Sequence, residues 1–335
     1  MTARIVAGID LGGTAVNYTF LDERGHFLID GLCEHPARSI EGPEVCLQQI
    51  ADGLEMAAGR AGVRSADIVA IGLDTPGPAS AAGVLSCRGS TNFVHPGWTG
   101  YDIRAGLEQK LGLPVSYLND GNAAALWGHV SLFGSGNKTT SISAIIGTGL
   151  GGGVITEGRV VVGRNGFGGE LGHVLIPYAT IQGIEGLVPR CNCGRVGDLE
   201  SLCSLTAIRQ SLLPHFLRRQ PGHELARHEI GHAAKLVRGL AERGDPLCRD
   251  IFRVQAHALS LFFDEMINVF DPDALIVGGG AVETGAEFRT WFLDEIRAGM
   301  PTQREEQRGI ALHVIPNGDT AGARGAALDA VRLVG

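Results

Sequence analysis

Two glycine-rich turns carry the residue types that could grip phosphate, and each follows an apolar run with strand character. The first is Asp10-Leu11-Gly12-Gly13-Thr14 after Ile5-Val6-Ala7-Gly8-Ile9. The second is Gly147-Thr148-Gly149-Leu150-Gly151-Gly152 after Ile142-Ser143-Ala144-Ile145-Ile146. Glycine accepts positive φ and has no Cβ, so such turns let backbone N–H groups approach phosphate oxygens. A carboxylate such as Asp10 would repel a phosphate unless a hard cation lay between them, which points to a nucleotide carrying Mg²⁺. A single Gly12-Gly13 reads equally as a tight turn with Asp10 as its local acceptor; its repetition favours phosphate binding. A third bare stretch, Gly278-Gly279-Gly280-Ala281, again follows an apolar strand pattern.

Asp120 stands in Asn119-Asp120-Gly121-Asn122, after a short strand at 115–118 and before a helix at 123–133. The carboxyl end of a strand is where open α/β sheets bind ligands. A carboxylate there could take the proton of a substrate hydroxyl as its oxygen attacks a γ-phosphorus, worth about 10²–10⁴ in rate. Position alone allows the other reading, a helix N-cap worth about 1 kcal/mol. Downstream polar groups cluster in Gly169-Glu170-Leu171-Gly172-His173 and in Cys191-Asn192-Cys193-Gly194, followed by Asp198 and Glu200. Cys-x-Cys-Gly with His173 before it and Asp198 after it reads as a zinc knuckle completed by a carboxylate, or as an empty site.

The elements that position these residues follow one pattern twice. After each glycine turn the chain returns as a strand (16–21 and 154–156), reaches a second turn (22–25 and 157–159) and enters a further apolar strand. This repeat predicts two similar lobes with a polyphosphate between their glycine turns. Gly147-x-Gly149-x-x-Gly152 formally matches a dinucleotide fingerprint, but no helix follows it, and no Gly-x-x-x-x-Gly-Lys-Ser/Thr occurs. The intervening patterns predict a helix at 42–60, a buried strand at 68–73 ending in the turn Asp74-Thr75-Pro76-Gly77-Pro78, and a helix at 101–111. Asp245-Pro246 caps a long buried helix that stops at Asp271-Pro272. A last strand (311–315) and helix (321–333) are expected to fold back on the first lobe.

The 335 residues suffice for two cores, and a formal charge of −8 without a basic stripe argues against a nucleic-acid partner. No apolar run approaches the roughly twenty residues of a membrane span. The first strand begins near Met1, so a cytoplasmic protein without a signal peptide is expected. Seven cysteines, an odd number and scattered except for Cys191-x-Cys193, do not suggest a disulfide framework.

In order along nearly the whole chain, six motifs resemble the ROK (repressor, ORF, kinase) family of sugar kinases. They are Asp10-x-Gly12-Gly13-Thr14, Asn119-Asp120-x-Asn122, Gly147-Thr148-Gly149-x-Gly151-Gly152, Gly169-Glu170-x-Gly172-His173, Cys191-x-Cys193-Gly194-x-x-Gly197-x-x-Glu200 and Gly278-Gly279-Gly280. The resemblance implies an α/β actin-like ATPase (ribonuclease H-like) fold, two similar lobes around a central cleft. The expected division is a small lobe of residues 1–118 plus 318–335 and a large lobe of 119–317. Asp120 would be the base toward a sugar hydroxyl, with Asn92, Asn119, Glu170, His173 and Glu200 holding the ring. Gly12, Gly13 and Thr14 with Thr148, Gly149, Gly151 and Gly152 would face the phosphates of Mg²⁺-ATP, and Gly278, Gly279 and Gly280 the adenosine. Relatives bind zinc with a histidine and three cysteines; here His173, Cys191 and Cys193 are joined by Asp198 in place of the third cysteine. Glucose phosphorylated at its 6-hydroxyl is the expected reaction. N-acetylmannosamine, allose or fructose as substrate, polyphosphate as donor, and a non-catalytic sugar-responsive regulator are the alternatives. Family repressors carry a helix-turn-helix ahead of the first glycine turn, and the early position of that turn here favours a kinase. A homodimer is expected, without nucleic-acid or membrane partners.

Overall fold

Both glycine turns close β-hairpins, and each hairpin opens a five-stranded sheet of the same design. The computed structural model describes residues 4–77, 79–86, 92–300, 305–307 and 309–334. In chain order its strands and α-helices are β1 (Ile5–Leu11), β2 (Ala15–Leu21), β3 (Glu34–Pro36), α1 (Pro43–Ala61), β4 (Ile68–Thr75), α2 (Ile103–Leu111), β5 (Val115–Asn119) and α3 (Asp120–Phe133). There follow β6 (Ser141–Ile146), β7 (Leu150–Thr156), β8 (Arg159–Val160), α4 (Leu205–Ala207), α5 (Leu213–Arg219), α6 (Ile230–Glu242), α7 (Pro246–Phe270), β9 (Ala274–Gly279), α8 (Ala286–Gly299), β10 (Ala311–Val314) and α9 (Ala321–Ala330).

The first sheet runs β3-β2-β1-β4-β5; the second, read from its other edge, runs β8-β7-β6-β9-β10. In the first, β1 is antiparallel to β2 and parallel to β4, which is parallel to β5. In the second, β9 is parallel to both β6 and β10, and β7 is antiparallel to β8. The repeat expected from the glycine turns is therefore present, with one correction. The third strand of each unit is a short edge piece, the polar Glu34–Pro36 in one and the two-residue Arg159–Val160 in the other, of which Val160 is apolar and packs on a hydrophobic cluster. Short edges that carry a charge, Glu34 in one and Arg159 in the other, resist pairing with other chains.

The chain divides into two compact units, Met1–Lys138 with Gly153–Gly169 and Ile315–Gly335, and Thr139–Gly152 with Glu170–Val314. In the first unit α1 buries Cys46, Ile50, Leu54 and Ala57 along one helical stripe, against a core that includes Ile9, Tyr18, Phe20, Ile71 and Trp98. The Tyr18 hydroxyl donates to the Ile50 carbonyl at 3.1 Å. Helix α9 contributes buried alanines 323, 326, 327 and 330 to the same unit. Of the last strand and helix, only α9 joins the first unit; β10 pairs with β9 in the second.

In the second unit α7 starts as its sequence signature requires. The Asp245 carboxylate accepts the Cys248 N–H at 2.9 Å, Pro246 is in the first turn, and the helix stops at Asp271 in the left-handed conformation. Elsewhere the boundaries shift. Strand β4 continues through Asp74 and Thr75 because β1 and β5 flank it and supply partners; Pro78, the end of the expected turn, lies outside the described residues. Helix α3 begins at Asp120, three residues early, and α9 stops at Ala330 before a 3-10 turn at Val331–Leu333. Among the described residues no helix is long and apolar enough to cross a membrane, and the described cysteines are all free.

Candidate active site

The carboxyl ends of β1, β4 and β5 stand side by side in the first unit. Parallel register sets Asp10 opposite Asp74 and Thr75 opposite Asn119, so the sheet edge presents Asp10, Asp74 and the Asn119-Asp120 pair. The turn beyond Asp10 closes with the Gly12 N–H donating to the Ala15 carbonyl at 2.9 Å. A Cβ on Gly13 would lie 2.3 Å from Asn92 Oδ1, so only glycine permits Asn92 to rest on this turn. The Ser39 hydroxyl joins the two by donating to the carbonyls of Gly13 and Asn92 at 3.0 and 3.1 Å. The Thr14 carbonyl accepts the Ala37 N–H at 2.9 Å.

Asn119 caps α3, its Oδ1 accepting the Gly121 N–H at 2.9 Å. The capping alternative for Asp120 therefore falls to its neighbour, while Asp120 is exposed in the first helical turn with Oδ1 2.7 Å from the same N–H. Asn122 is buried and donates to the Gly168 carbonyl at 3.0 Å, which ties the Gly168-Gly169 segment to α3. Asp74 is fully buried, and neither of its carboxylate oxygens has a hydrogen-bond partner. Burial, then the charges of Asp10 and Asp120, pushes its carboxyl well above the usual range. Burial also raises Asp10, an effect its contact with Asp74 opposes and the charge of Glu34 reinforces. Two adjoining carboxylates of which one has no donor form an oxygen set of the kind a hard cation takes, so these residues fit Mg²⁺.

In the second unit the glycine turn is Gly147–Gly149, closed by the Gly147 N–H to the Gly149 carbonyl at 2.9 Å; Gly151 and Gly152 belong to β7. Leu205 and Thr206 N–H groups donate to the carbonyls of Gly147 and Thr148 at 3.0 and 3.1 Å, and the Thr206 hydroxyl to Thr148 at 2.8 Å. Glu200 is seated on this turn. Its Oε2 accepts the Leu150 N–H at 2.9 Å, and a Cβ on Gly149 would come within 2.5 Å of that oxygen. Its Oε1 accepts from the Cys191 thiol at 3.2 Å.

That thiol belongs to a four-residue cluster. His173 Nδ1 lies 3.1 Å from Asp198 Oδ2 and 3.8 Å from Cys191 Sγ, and Cys193 Sγ lies 3.5 Å from Asp198 Oδ2. The potential ligand atoms of these four residues all lie within 4.8 Å of one another. Tetrahedral Zn²⁺ ligands at about 2.0–2.3 Å from the metal stand about 3.3–3.8 Å apart, so the donor types suit zinc and the widest separations would have to close by about 1 Å around it. The hydrogen bond to Asp198 raises the His173 imidazole against the opposing effect of burial. Burial raises the Asp198 carboxyl, but hydrogen bonds from His173, Cys191, Cys193 and the Ser201 N–H outweigh it and hold the group low. Burial raises the half-buried Glu170, with His173 opposing and Glu200 adding to the rise.

The second unit also contains a cavity of about 390 Å³. Ile146, Leu205, Ile208, Phe252 and Ala281 make its apolar walls, Gly147 and Gly280 a bare backbone strip, and Lys235 and Arg238 its cationic margin. Arg238 donates to the Gly280 carbonyl at 2.8 Å. The volume is that of a small-molecule site, and the mixture suits a flat ring carrying an anionic tail.

The family model described as "ROK family" matches residues 6–332. The chain belongs to the ROK family. A glucokinase of Halalkalibacterium halodurans is 30% identical over 85% of this chain and 83% of its own length, and an N-acetyl-D-glucosamine kinase of Citrobacter koseri is 27% identical over 96% and 97%. Among solved structures, the ROK hexokinase of Thermus thermophilus is 30% identical with a TM-score of 0.76, covering 98% of this chain and 99% of that one. The ROK glucokinase of Streptomyces griseus, solved with glucose and AMPPNP, is 27% identical with a TM-score of 0.73 and the same coverage. The fold is accordingly that of the ROK sugar kinases, the actin-like ATPase fold.

In this ROK protein the predicted residues fall into separate groups. Asp10, Gly12, Gly13, Thr14, Asn92, Asn119 and Asp120 belong to the first unit. Thr148, Gly149, Gly151, Gly152, Glu170, His173, Cys191, Cys193, Asp198 and Glu200 belong to the second, as do Gly278 and Gly279 at the end of β9 and Gly280 beside the cavity. Sequence reasoning missed Asp74, although an acid ending a buried strand was a usable signal. It also missed Lys235, Arg238 and Phe252, which no local pattern marks.

Proposed function

We propose that this ROK protein transfers the γ-phosphoryl group of Mg²⁺-ATP to a hexose hydroxyl, with glucose and its 6-hydroxyl the first choice and Asp120 the general base. That the chain is a sugar kinase rests on its family and on relatives named glucokinase and N-acetyl-D-glucosamine kinase. The observation that carries the mechanism is the exposed Asp120 carboxylate at the acidic strand edge, one residue beyond the Asn119 that caps α3. Asp120 orients the attacking hydroxyl and takes its proton. Asp10 would hold the Mg²⁺, which when bound neutralises charge on the phosphates. Backbone N–H groups at the turns of Gly12-Gly13 and Thr148-Gly149 contact phosphate oxygens. The apolar cavity beside Gly280 takes the adenine ring, a reading that favours ATP over polyphosphate, which has nothing to fill it.

Glu170, Glu200, Asn92, Asn119 and His173 hold the sugar ring; with Nδ1 turned to Asp198, His173 keeps Nε2 for a hydroxyl. His173, Cys191, Cys193 and Asp198 would hold Zn²⁺, fixing the loop that carries Glu200. Asp198→Ala should release that zinc, measured as metal content per chain. The functional test is ADP release from Mg²⁺-ATP across hexoses, N-acetylhexosamines and polyols, with Asp120→Asn in parallel. Sugar-dependent release that the variant loses supports the proposal. Preference for an N-acetylhexosamine over glucose would replace the substrate, and release in the variant at full rate would overturn Asp120 as base.

A further inference from the structure

Asp74 has no task in the reaction as proposed, yet its position is the most demanding of any carboxylate in the first unit. It is fully buried, both of its oxygens lack a hydrogen-bond partner, and its register neighbour across β1 and β4 is the carboxylate of Asp10. Directly opposed residues on adjacent strands share a face, and the strands lie about 4.8 Å apart, so the two carboxylates adjoin. No ion pair to either forms among the described residues. A buried carboxylate persists when it is paired, protonated or coordinated to a metal. The charges that bear on it are those of other acids, Asp10 beside it, whose carboxyl is close enough to share a proton with it, and Asp120 beyond β5.

We propose that Asp74 is a second carboxylate ligand, beside Asp10, for a divalent cation, and that the pair takes up the cation before any nucleotide arrives. The proposal deepens the kinase reading and rests on it only for the purpose of the cation. Mg²⁺ is typically held by one or two carboxylates together with substrate phosphates. Two adjoining carboxylates supply the protein's share of that set, and the cation supplies the partner that Asp74 lacks. With Asp10 alone the cation would depend on the nucleotide for retention; with both it would not.

Mn²⁺ is the probe, its free concentration followed by electron paramagnetic resonance on the full chain, with and without ADP and without sugar. The native chain should bind Mn²⁺ in the absence of ADP. Asp74→Asn, nearly isosteric, should weaken that binding at least tenfold, and Asp10→Asn should weaken it at least as much. Asp74→Ser provides the same comparison should the amide variant fail to fold. Affinity in the Asp74 variants within twofold of native overturns the assignment, as does a native chain that binds no Mn²⁺ without ADP. The second result would leave a proton shared between the two carboxyls as the occupant. Loss of Mn²⁺ binding in Asp74→Asn together with no sugar-dependent ADP release by the native chain would sustain this inference and overturn the kinase reading. Sugar-dependent release with unchanged Mn²⁺ binding would do the reverse.

Discussion

The two sheets have the same strand succession and opposite chemistry at the ends of their matching strands. In the first, the register partners at the end of the central parallel pair are Asp10 and Asp74; in the second they are Ile146 and Gly279. One backbone design thus serves two purposes. The acidic edge suits a cation and a proton acceptor, and the apolar edge opens into a cavity walled by Ile146, Phe252 and Ala281. The supports of the two glycine turns differ in charge as well. The neutral side chains of Ser39 and Asn92 and the Ala37 N–H adjoin the first turn, whereas the second is held by Leu205 and Thr206 and carries the Glu200 carboxylate. Repeating a fold fixes where a site stands and leaves the side chains free to decide what it does.

The largest effect that would test this contrast is the loss of Asp120. Asp120→Asn should lower kcat by about 10²–10⁴ while sugar affinity, measured by calorimetry, stays within a few-fold. If kcat and affinity fell together, the residue would belong to binding and the acidic edge would lose its catalytic meaning. Moving an acid to the other edge is the converse experiment. Ile146 is 4% exposed, and Ile146→Asp should cost about 4 kcal/mol or more of stability, read from the urea midpoint. A tolerated aspartate would show that the two edges differ less than their residues suggest.

Smaller effects should sort the contents of the second unit. Filling the cavity with Ala281→Leu should raise the KM for ATP about tenfold, or about 1.4 kcal/mol, with the sugar KM unchanged. An unchanged ATP KM would remove the base from the cavity. Gly149→Ala should force Glu200 off the Leu150 N–H, since the added Cβ would meet its carboxylate at 2.5 Å. We expect a three- to tenfold rise in the sugar KM, about 1 kcal/mol, with little change in thermal midpoint.

What could be read from the sequence was local. The two hairpins followed from glycine turns flanked by apolar alternation, and the start of α7 from Asp245-Pro246, because each signal lies within a few residues of the structure it specifies. Asp74 was read into a turn because the apolar run ends at Leu73 and Thr-Pro-Gly follows. Pairing with Asp10 and, one residue on, with Asn119 keeps that segment in the sheet, and both partners are distant in sequence. The third strands are shorter than expected for a related reason, since an edge is paired on one side alone; of the two, only Glu34–Pro36 lacks an apolar residue on a hydrophobic cluster. The cavity draws on Ile146, Leu205, Phe252 and Gly280, which no window brings together. The seating of Glu200 on the second glycine turn likewise spans fifty residues of chain.

Asp198 has a consequence for chemical durability. Cysteine sulfur is open to stepwise oxidation, whereas a carboxylate is not. Cys193 is exposed and would be the first of the cluster to be lost, but the Ser201 N–H and His173 imidazole would still grip the buried Asp198. An oxidant could then remove a thiol from the cluster and leave the loop beneath Glu200 anchored, a tolerance that a third cysteine in this position would not provide.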